Sequence, residues 1–495
     1  MKKVLSIVLC TVMLLSLFVV SASAAAWDGT TASTSLKGEG TADKPYLVET
    51  AEDLAFLAKD VNGGNNYEGK YITQTADIDL GNKEWTPIGT SGTPFCGVYN
   101  ALGNKITGFS ITKETRFLGL FGYIKGTTAE AGVANLTLEG KLTFTTDFAT
   151  AKDAGVGALV GWAYQDSNDL AHRVKIINVV NNVDVSFKGL ANQLRIGVVA
   201  GYAYCTDFEN VVNNGDITVE TTAAARVGGI TGQGNRSTYT NCVNNGDVTV
   251  VATNSQWAAG AGITAITTVK NNSGTPVGVA STYTNCVNNG NVSVSAGGAI
   301  AYAAGFVANP YHGGTNKTNY IKIDGCVNTG DITGTRTDAA DYAYVGGLLA
   351  YNNKEDVAIT NSVNSGKVTA AAGASSKGGG IAGVMNNAAT NCFIKDCVAS
   401  ANVVGWSAQK TDTENSTANA DTAAVNAAIK AIEDKLAPSA TKIAGFDTAY
   451  KAPVVPDPTP TPTPNPGTGD VATLLVVMAI ISLAGVVVTK KVSVR

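Results

Sequence analysis

One phrase, written seven times, limits what this chain can fold into more than anything else in it. The copies are NVVNNVDVSF (178–187), NVVNNGDITV (210–219), NCVNNGDVTV (241–250), NCVNNGNVSV (285–294), GCVNTGDITG (325–334), NSVNSGKVTA (361–370) and the degenerate DCVASANVVG (396–405). Their anchoring asparagines, Asn181, Asn213, Asn244, Asn288, Asn328 and Asn364, stand 32, 31, 44, 40 and 36 residues apart. Such spacing admits insertions in a loop while the turn stays fixed, which is how stacked repeat architectures are written.

Each unit also carries a glycine-rich apolar stretch: GVGALVGWAY from 155, IGVVAGYAY from 196, VGGITGQG from 227, AGGAIAYAAG from 296, YVGGLLAYN from 344 and GGGIAGVMN from 378. Two short strands and a turn therefore recur in every copy. In CVNNGDVTV, Val248 and Val250 share one face and Thr249 takes the other. The Asn-Asn-Gly-Asp segment bends tightly, because Gly246 tolerates positive φ and Asn or Asp side chains bond to local backbone. One such unit cannot bury its apolar face, but units stacked about 4.8 Å apart share backbone hydrogen bonds and one long core. The expected fold is all-β, a right-handed parallel β-helix or solenoid of roughly eight to ten coils. A β-sandwich array is the alternative, disfavoured because no unit is long enough to hold its own core.

Cysteine usage has two readings. Val179, Val211, Cys242, Cys286, Cys326, Ser362 and Cys397 occupy one slot of the repeat. An exported chain suggests disulfides, whereas a slot that accepts Val and Ser suggests an internal ladder of free thiols. Cys96, Cys205 and Cys392 fall outside the slot.

The ends carry addresses. Residues 1–25 run from Met1-Lys2-Lys3 through VLSIVLCTVMLLSLFVV to Ala22-Ser23-Ala24, the order of a secretory signal peptide. Residues 451–470, KAPVVPDPTPTPTPNPGTGD, place a proline at every second position from Pro456 to Pro466, which forbids helix and favours an extended spacer. Residues 471–489 are uncharged, long enough to cross a membrane, and are followed by KKVSVR, whose charge is retained on the cytoplasmic side. Near the N-terminus, Thr50 is placed to cap a helix with Asp53 at its third position and Leu54, Leu57, Ala58 and Val61 on one face, covering the first edge of the solenoid. In 406–450, Asp421 precedes the stripe Val425, Ile429, Ile432 and Leu436, ended by Pro438. That short C-terminal helix reads as a cap on the last coil or as a docking helix for another protein.

The tail resembles a Gram-positive cell-wall sorting signal. Asn465-Pro466-Gly467-Thr468-Gly469 matches the pattern Leu-Pro-x-Thr-Gly at Pro, Thr and Gly, with Asn465 in place of Leu. The resemblance implies that a sortase attacks the Thr468 carbonyl and joins the chain to cell-wall peptidoglycan; permanent retention by the membrane span is the other reading. GEGTADKPYLV, LAFLAKDVNGG, YEGKYITQTADIDL, WTPIG, GNKITGFSI, LGLFGYI and the later glycine-rich units resemble the GLUG-repeat surface proteins of anaerobic Gram-positive bacteria, over residues 36–405. That resemblance implies a β-solenoid displayed on the cell surface, often in adhesins, with related repeats found beside peptidase domains that cleave immunoglobulin A. The domain order expected is signal peptide 1–25, GLUG-like solenoid ectodomain 26–405, helical cap 406–450, spacer and sorting motif 451–470, and membrane span with basic tail 471–495.

Catalytic chemistry is thin. The two histidines, His172 and His312, lie in unrelated contexts, and no HExxH, nucleophile elbow or Walker loop occurs. No cofactor or metal is expected. Asp77 and Asp79 alternate onto one face, and Asp216, Asp247 and Asp331 fall in the repeated turn, where Asn291 and Lys367 substitute. A turn-stabilising role is the simpler reading than glycosidic catalysis or calcium binding. With 35 basic and 39 acidic residues and no basic run, nucleic acid binding has no electrostatic basis.

Aromatic residues beside the glycine strands are the candidate binding residues: Trp162, Tyr164, Tyr202, Tyr204, Trp257, Tyr302 and Tyr344, with Tyr351 and Trp406 nearby. Alternation pairs Trp162 with Tyr164 and Tyr202 with Tyr204 on shared faces, either core or surface. The function expected is a non-enzymatic surface adhesin or display module that binds an extracellular glycan or host protein. The alternatives are a carboxylate-dependent polysaccharide-processing enzyme and a ligand-free structural surface protein.

Overall fold

The repeated phrase begins each time with a residue held in the left-handed region, and that residue is where the chain turns a corner. The φ values are 53° at Asn178, Asn210, Asn241 and Asn285, 64° at Gly325, 49° at Asn361 and 54° at Asp396. Asn, Asp and Gly are the residues that tolerate this conformation, so the first letter of every copy is explained. The computed structural model describes residues 27–433 except 114–115, 145–153, 166–171, 190–193, 255–256, 269–280, 299, 311–319, 337–341, 353–355, 372–375, 386–391, 408–412 and 414. The signal sequence, His312, Leu436, Pro438, the spacer, the sorting motif and the final apolar span lie outside the described residues.

The architecture is a parallel β-solenoid. One coil runs through strands Thr206–Glu209, Val212–Asn213 and Ile217–Thr221, then Ala225–Gly228 and Thr231–Asn235, before Arg236, at φ 51°, starts the next. The first three segments of each coil join a 24-stranded sheet, the fourth an eight-stranded sheet and the fifth a nine-stranded sheet. The strand pairings are parallel, and through the repeated coils they are in register: Ile217 pairs with Val248, Val248 with Val292 and Val292 with Ile332. Stacked core rings measure the rise of the coils, with Phe208–Tyr239 and Tyr239–Tyr283 centroids 4.9 and 4.8 Å apart and nearly coplanar.

Inside the coils runs a column of buried asparagines. Asn181, Asn213, Asn244, Asn288, Asn328 and Asn364 are all 0% exposed. Each Nδ2 donates to the Oδ1 of the next: Asn181 to Asn213 at 2.9 Å, Asn213 to Asn244 and Asn244 to Asn288 at 2.8 Å, Asn288 to Asn328 and Asn328 to Asn364 at 2.7 Å. From Asn213 onward its second hydrogen goes to the carbonyl two residues on, as from Asn288 to Gly290 at 2.8 Å. An amide has the two donors and the acceptor that a repeat by translation requires, so a polar group costly to bury alone is satisfied at every rung from Asn213 to Asn364, while Asn181 Oδ1, at the start of the column, has no partner. The glycine-rich strands make room for it. A Cβ on Gly262 would overlap Asn288 Oδ1, and one on Gly229, Gly305 or Gly347 would crowd Asn244, Asn328 or Asn364 in the same way.

The cysteine slot is a second internal column. Cys242, Cys286, Cys326 and Cys397 are buried, and among the described residues neither they nor Cys96, Cys205 and Cys392 form a disulfide. The amides of Cys242 and Cys286 donate to the sulfur of the next coil at 3.4 and 3.5 Å, and the Cys326 amide donates to Ser362 Oγ at 3.1 Å. Thiol and hydroxyl therefore do one job in this slot, as acceptors for the coil below.

Helix α1, Ala51–Asn62, starts at Thr50, whose side chain accepts from the Asp53 amide while Asp53 accepts from the Thr50 amide. Its buried Leu54, Leu57 and Val61 join the main core beside the edge strand Tyr46–Val48. Helix α2, Thr422–Glu433, departs from the expectation of an end cap. Val425, Ile429 and Ile432 pack on the outward valines Val287, Val327, Val363 and Val398, one from each of four coils, so α2 lies along the flank. The last coil is covered instead by the chain before the helix, where Thr417 bridges to Val398. The solenoid also runs past 405, since Val404–Ser407 pairs with Ala382–Met385. Among the described residues no helix is long and apolar enough to cross a membrane.

Candidate functional site

The eight- and nine-stranded sheets each turn one face to the main core, and their other faces meet to form a groove. In Val160–Gln165 the side chain of Ala163 enters the core, so Trp162 and Tyr164 project outward. Register then builds columns along the groove: Tyr123, Trp162, Tyr202 and Gln233 on successive rungs, and Lys125, Tyr164, Tyr204 and Asn235 beside them. The facing sheet contributes Arg195 and Arg226, which are Cα partners on adjacent strands.

Side chains from the two sheets touch across the groove. The Arg195 guanidinium lies 5.3 Å from the Trp162 ring centre and 5.4 Å from that of Tyr202, and its Nε donates to Gln233 Oε1 at 2.7 Å. Asn235 Nδ2 donates to Tyr202 Oη at 3.1 Å, and Arg236 Nη1 donates to Tyr204 Oη at 3.1 Å. Burial pushes the Tyr202 phenol well above its ordinary range, so it stays neutral. Trp162 sits among Tyr202 at 4.2 Å, Phe117 at 5.3 Å and Tyr123 at 6.4 Å, the last stacked at 13°. Tyr123, Trp162 and Tyr164 keep part of their surface open, whereas Tyr202 is 8% exposed and forms floor. The resulting cavity has a volume of about 410 Å³, within the range of small-molecule sites. Arg116, Phe117 and Ser91 complete its wall.

Four of the sequence candidates, Trp162, Tyr164, Tyr202 and Tyr204, are thus brought together. They belong neither to the main core nor to an open surface row: they form a separate cluster with Cys205. Trp257, Tyr302 and Tyr344 gather further along with Tyr351 in a second cluster. There Tyr344 and Tyr351 stack at 4.9 Å, and burial, with Tyr351 and Tyr342 beside it, pushes the Tyr344 phenol up to about 12. Arg226 lies 5.1 Å from the Trp257 ring and stands between the two clusters. The sequence reading missed Arg116, Arg195, Arg226 and Gln233. The signal was present, because RIGVV at 195 and RVGGI at 226 put arginine in one slot of two consecutive copies.

The carboxylates serve turns. Asp184 Oδ1 accepts from the Asp216 amide at 2.9 Å, Asp216 from Asp247 at 2.8 Å, Asp247 from Asn291 at 2.7 Å and Asp331 from Lys367 at 2.8 Å. Asp77 accepts from the Lys105 amide and Asp79 from that of Gly81, both at 2.8 Å. His172 is half-buried, its carbonyl accepting from Gln165 Nε2. Among the described residues no three of His, Cys, Asp and Glu gather to hold a metal ion.

No family model matches the chain. A protein of Evansella cellulosilytica, provisionally named a Gly-rich membrane protein, is 39% identical over 132 residues, which cover 26% of this chain and 14% of that protein's length. Among solved structures, a chain from Bacteroides ovatus provisionally named an immunoglobulin A1 protease aligns over 80% of this chain and 89% of its own, at 16% identity and a TM-score of 0.34.

Proposed function

We propose that this chain is a surface-displayed β-solenoid that binds an extracellular glycan in the groove at Trp162, holding it without chemical change. The observation that carries this reading is the groove itself: partly open aromatic rings from successive coils, fixed from below by the Arg195–Gln233 and Asn235–Tyr202 hydrogen bonds. Aromatic faces take the apolar face of a sugar ring, while the polar rim offers hydrogen bonds to its hydroxyls. The columns set one groove side chain on each successive coil, about 4.8 Å apart, so the groove runs along the stack and suits a polymer better than a compact ligand. The carboxylates are occupied with backbone amides, and this favours binding over polysaccharide cleavage.

Display at the cell envelope is the second half of the proposal. It rests on the signal-like 1–25 and the sorting-like tail at 465–469, and on the resemblance to GLUG-repeat surface proteins. The name of the Evansella cellulosilytica relative, a membrane protein, agrees with an envelope location. A sortase and cell-wall peptidoglycan are then the partners at the C-terminal end, with the membrane span as anchor before processing.

The test is a glycan array probed with the purified chain and with Trp162→Ala. Binding to a defined glycan set, weakened about tenfold or more by Trp162→Ala and unaffected by Tyr342→Ala, supports the reading. No glycan bound, or equal binding by both variants, overturns it; capture of a host protein instead points to a protein adhesin, and release of sugar product to an enzyme.

A further inference from the structure

We infer that helix α2 is a strap that carries tension from the C-terminal tether across the last four coils at once, so that the solenoid does not unravel from its end. The tether belongs to the display reading above; the strap stands on the packing of the helix. A solenoid is weakest at its terminal coil, which has a neighbour on one side only. Pulled directly, that coil would peel from the stack one short strand at a time. This chain does not leave from its last coil. It is first stitched there, the Thr417 amide donating to the Cys397 carbonyl at 2.8 Å, Asn419 to Ala401 at 3.1 Å and Ala420 to Ala399 at 2.9 Å. Asp421 then caps the helix, its side chain accepting from the Ala424 amide at 2.8 Å.

From that point α2 runs back along the stack. One column of outward valines, Val180, Val212, Val243, Val287, Val327, Val363 and Val398, pairs in register from coil to coil. Val425, Ile429 and Ile432 are buried against the last four of them, those nearest the stitched end. The lengths agree, since three coil steps of about 4.8 Å come to about 14 Å, and 12 helical residues rising about 1.5 Å each come to about 18 Å. The helix therefore ends on the flank at the level of Val287, and the chain beyond it is fed from there and not from the tip. A pull on that end acts on α2 first. Apolar contacts with four coils then resist together, where a bare terminal coil would yield its hydrogen bonds in sequence.

The experiment stretches the full chain in an optical trap, gripped at its N-terminal end and at the proline-rich spacer, beside the double variant Ile429→Ala, Ile432→Ala. Wild type is expected to give a short first release, about 40 Å for 12 extended residues, before any coil unravels. The variant should give that release at clearly lower force. Without force, amide hydrogen exchange in the variant should quicken about tenfold or more in Asp356–Thr360 and Cys392–Lys395 and keep wild-type rates in Thr206–Glu209. Coils that unravel with no earlier short release, unchanged exchange in the last coils, or a rise that is uniform along the chain overturns the inference. Absence of the protein from both wall and membrane fractions would overturn the display reading, and with it the source of the tension, while the trap measures the strap itself.

Discussion

Replacing Asn288 by alanine should cut the internal asparagine column in the middle. Three buried groups lose their partners at once: the Asn244 amide hydrogen that donates to Asn288, the Asn328 oxygen that accepts from it, and the Gly290 carbonyl. Each orphaned buried group costs roughly 1–3 kcal/mol, so the variant should lose roughly 3–9 kcal/mol. Asn364 is the last asparagine, paired in register with Ala399, and its removal orphans only the Asn328 amide hydrogen and the Gly366 carbonyl. Its loss should be about 2–6 kcal/mol. Because a solenoid is held by nearest-neighbour coils, the damage should be local. Amide hydrogen exchange should accelerate in Val248–Ala252, Val292–Ala296 and Ile332–Arg336 and stay unchanged in Tyr71–Gln74. A urea midpoint for Asn288→Ala equal to wild type, or exchange that rises uniformly along the chain, would refute the reasoning.

Three further outcomes follow from the same physics. Gly262→Ala should destabilise by about 1–3 kcal/mol in urea melts, because its Cβ meets Asn288 Oδ1, while Gly92→Ala, whose nearest atom would lie 4.0 Å away, should be neutral. Burial raises the Cys397 thiol from 9.0 to about 12 and the Cys96 thiol to about 11, so both fold as neutral thiols. Their contribution to stability is therefore complete below pH 9 and is lost as pH rises toward 11–12, and chemical denaturation at pH 8 and pH 10.5 should show the decline. Thr468→Ala should leave export intact but move the protein from the muramidase-released wall fraction to the detergent-soluble membrane fraction; an unchanged distribution would show that the apolar tail is the permanent anchor.

The coil was legible because its constraints are written in residues with few substitutes. The left-handed corner admits Asn, Asp or Gly, and the inward positions of GDVTV admit apolar residues, so seven copies reveal the stack. Asn244 was read as a residue that bonds locally, and it does donate to Gly246 at 2.8 Å. Its second bond, to a residue 44 positions away, depends on register between coils, which no single turn displays. The groove was legible only by parity. Trp162 with Tyr164 and Tyr202 with Tyr204 do share faces, but the core face and the groove face both bury aromatic surface, so hydropathy could not tell them apart. For α2 the apolar stripe was visible, while its place on the flank depended on the outward valines of four separate coils.

The central claim, a sugar held at Trp162, is tested most directly by a crystal structure of the chain soaked with the tightest-binding oligosaccharide from the array. The account predicts density for a sugar ring stacked on the open face of Trp162, in contact with Tyr123 and within hydrogen-bond reach of Arg195 or Arg116. Sugar density elsewhere on the solenoid, with the Trp162 groove empty, would contradict it.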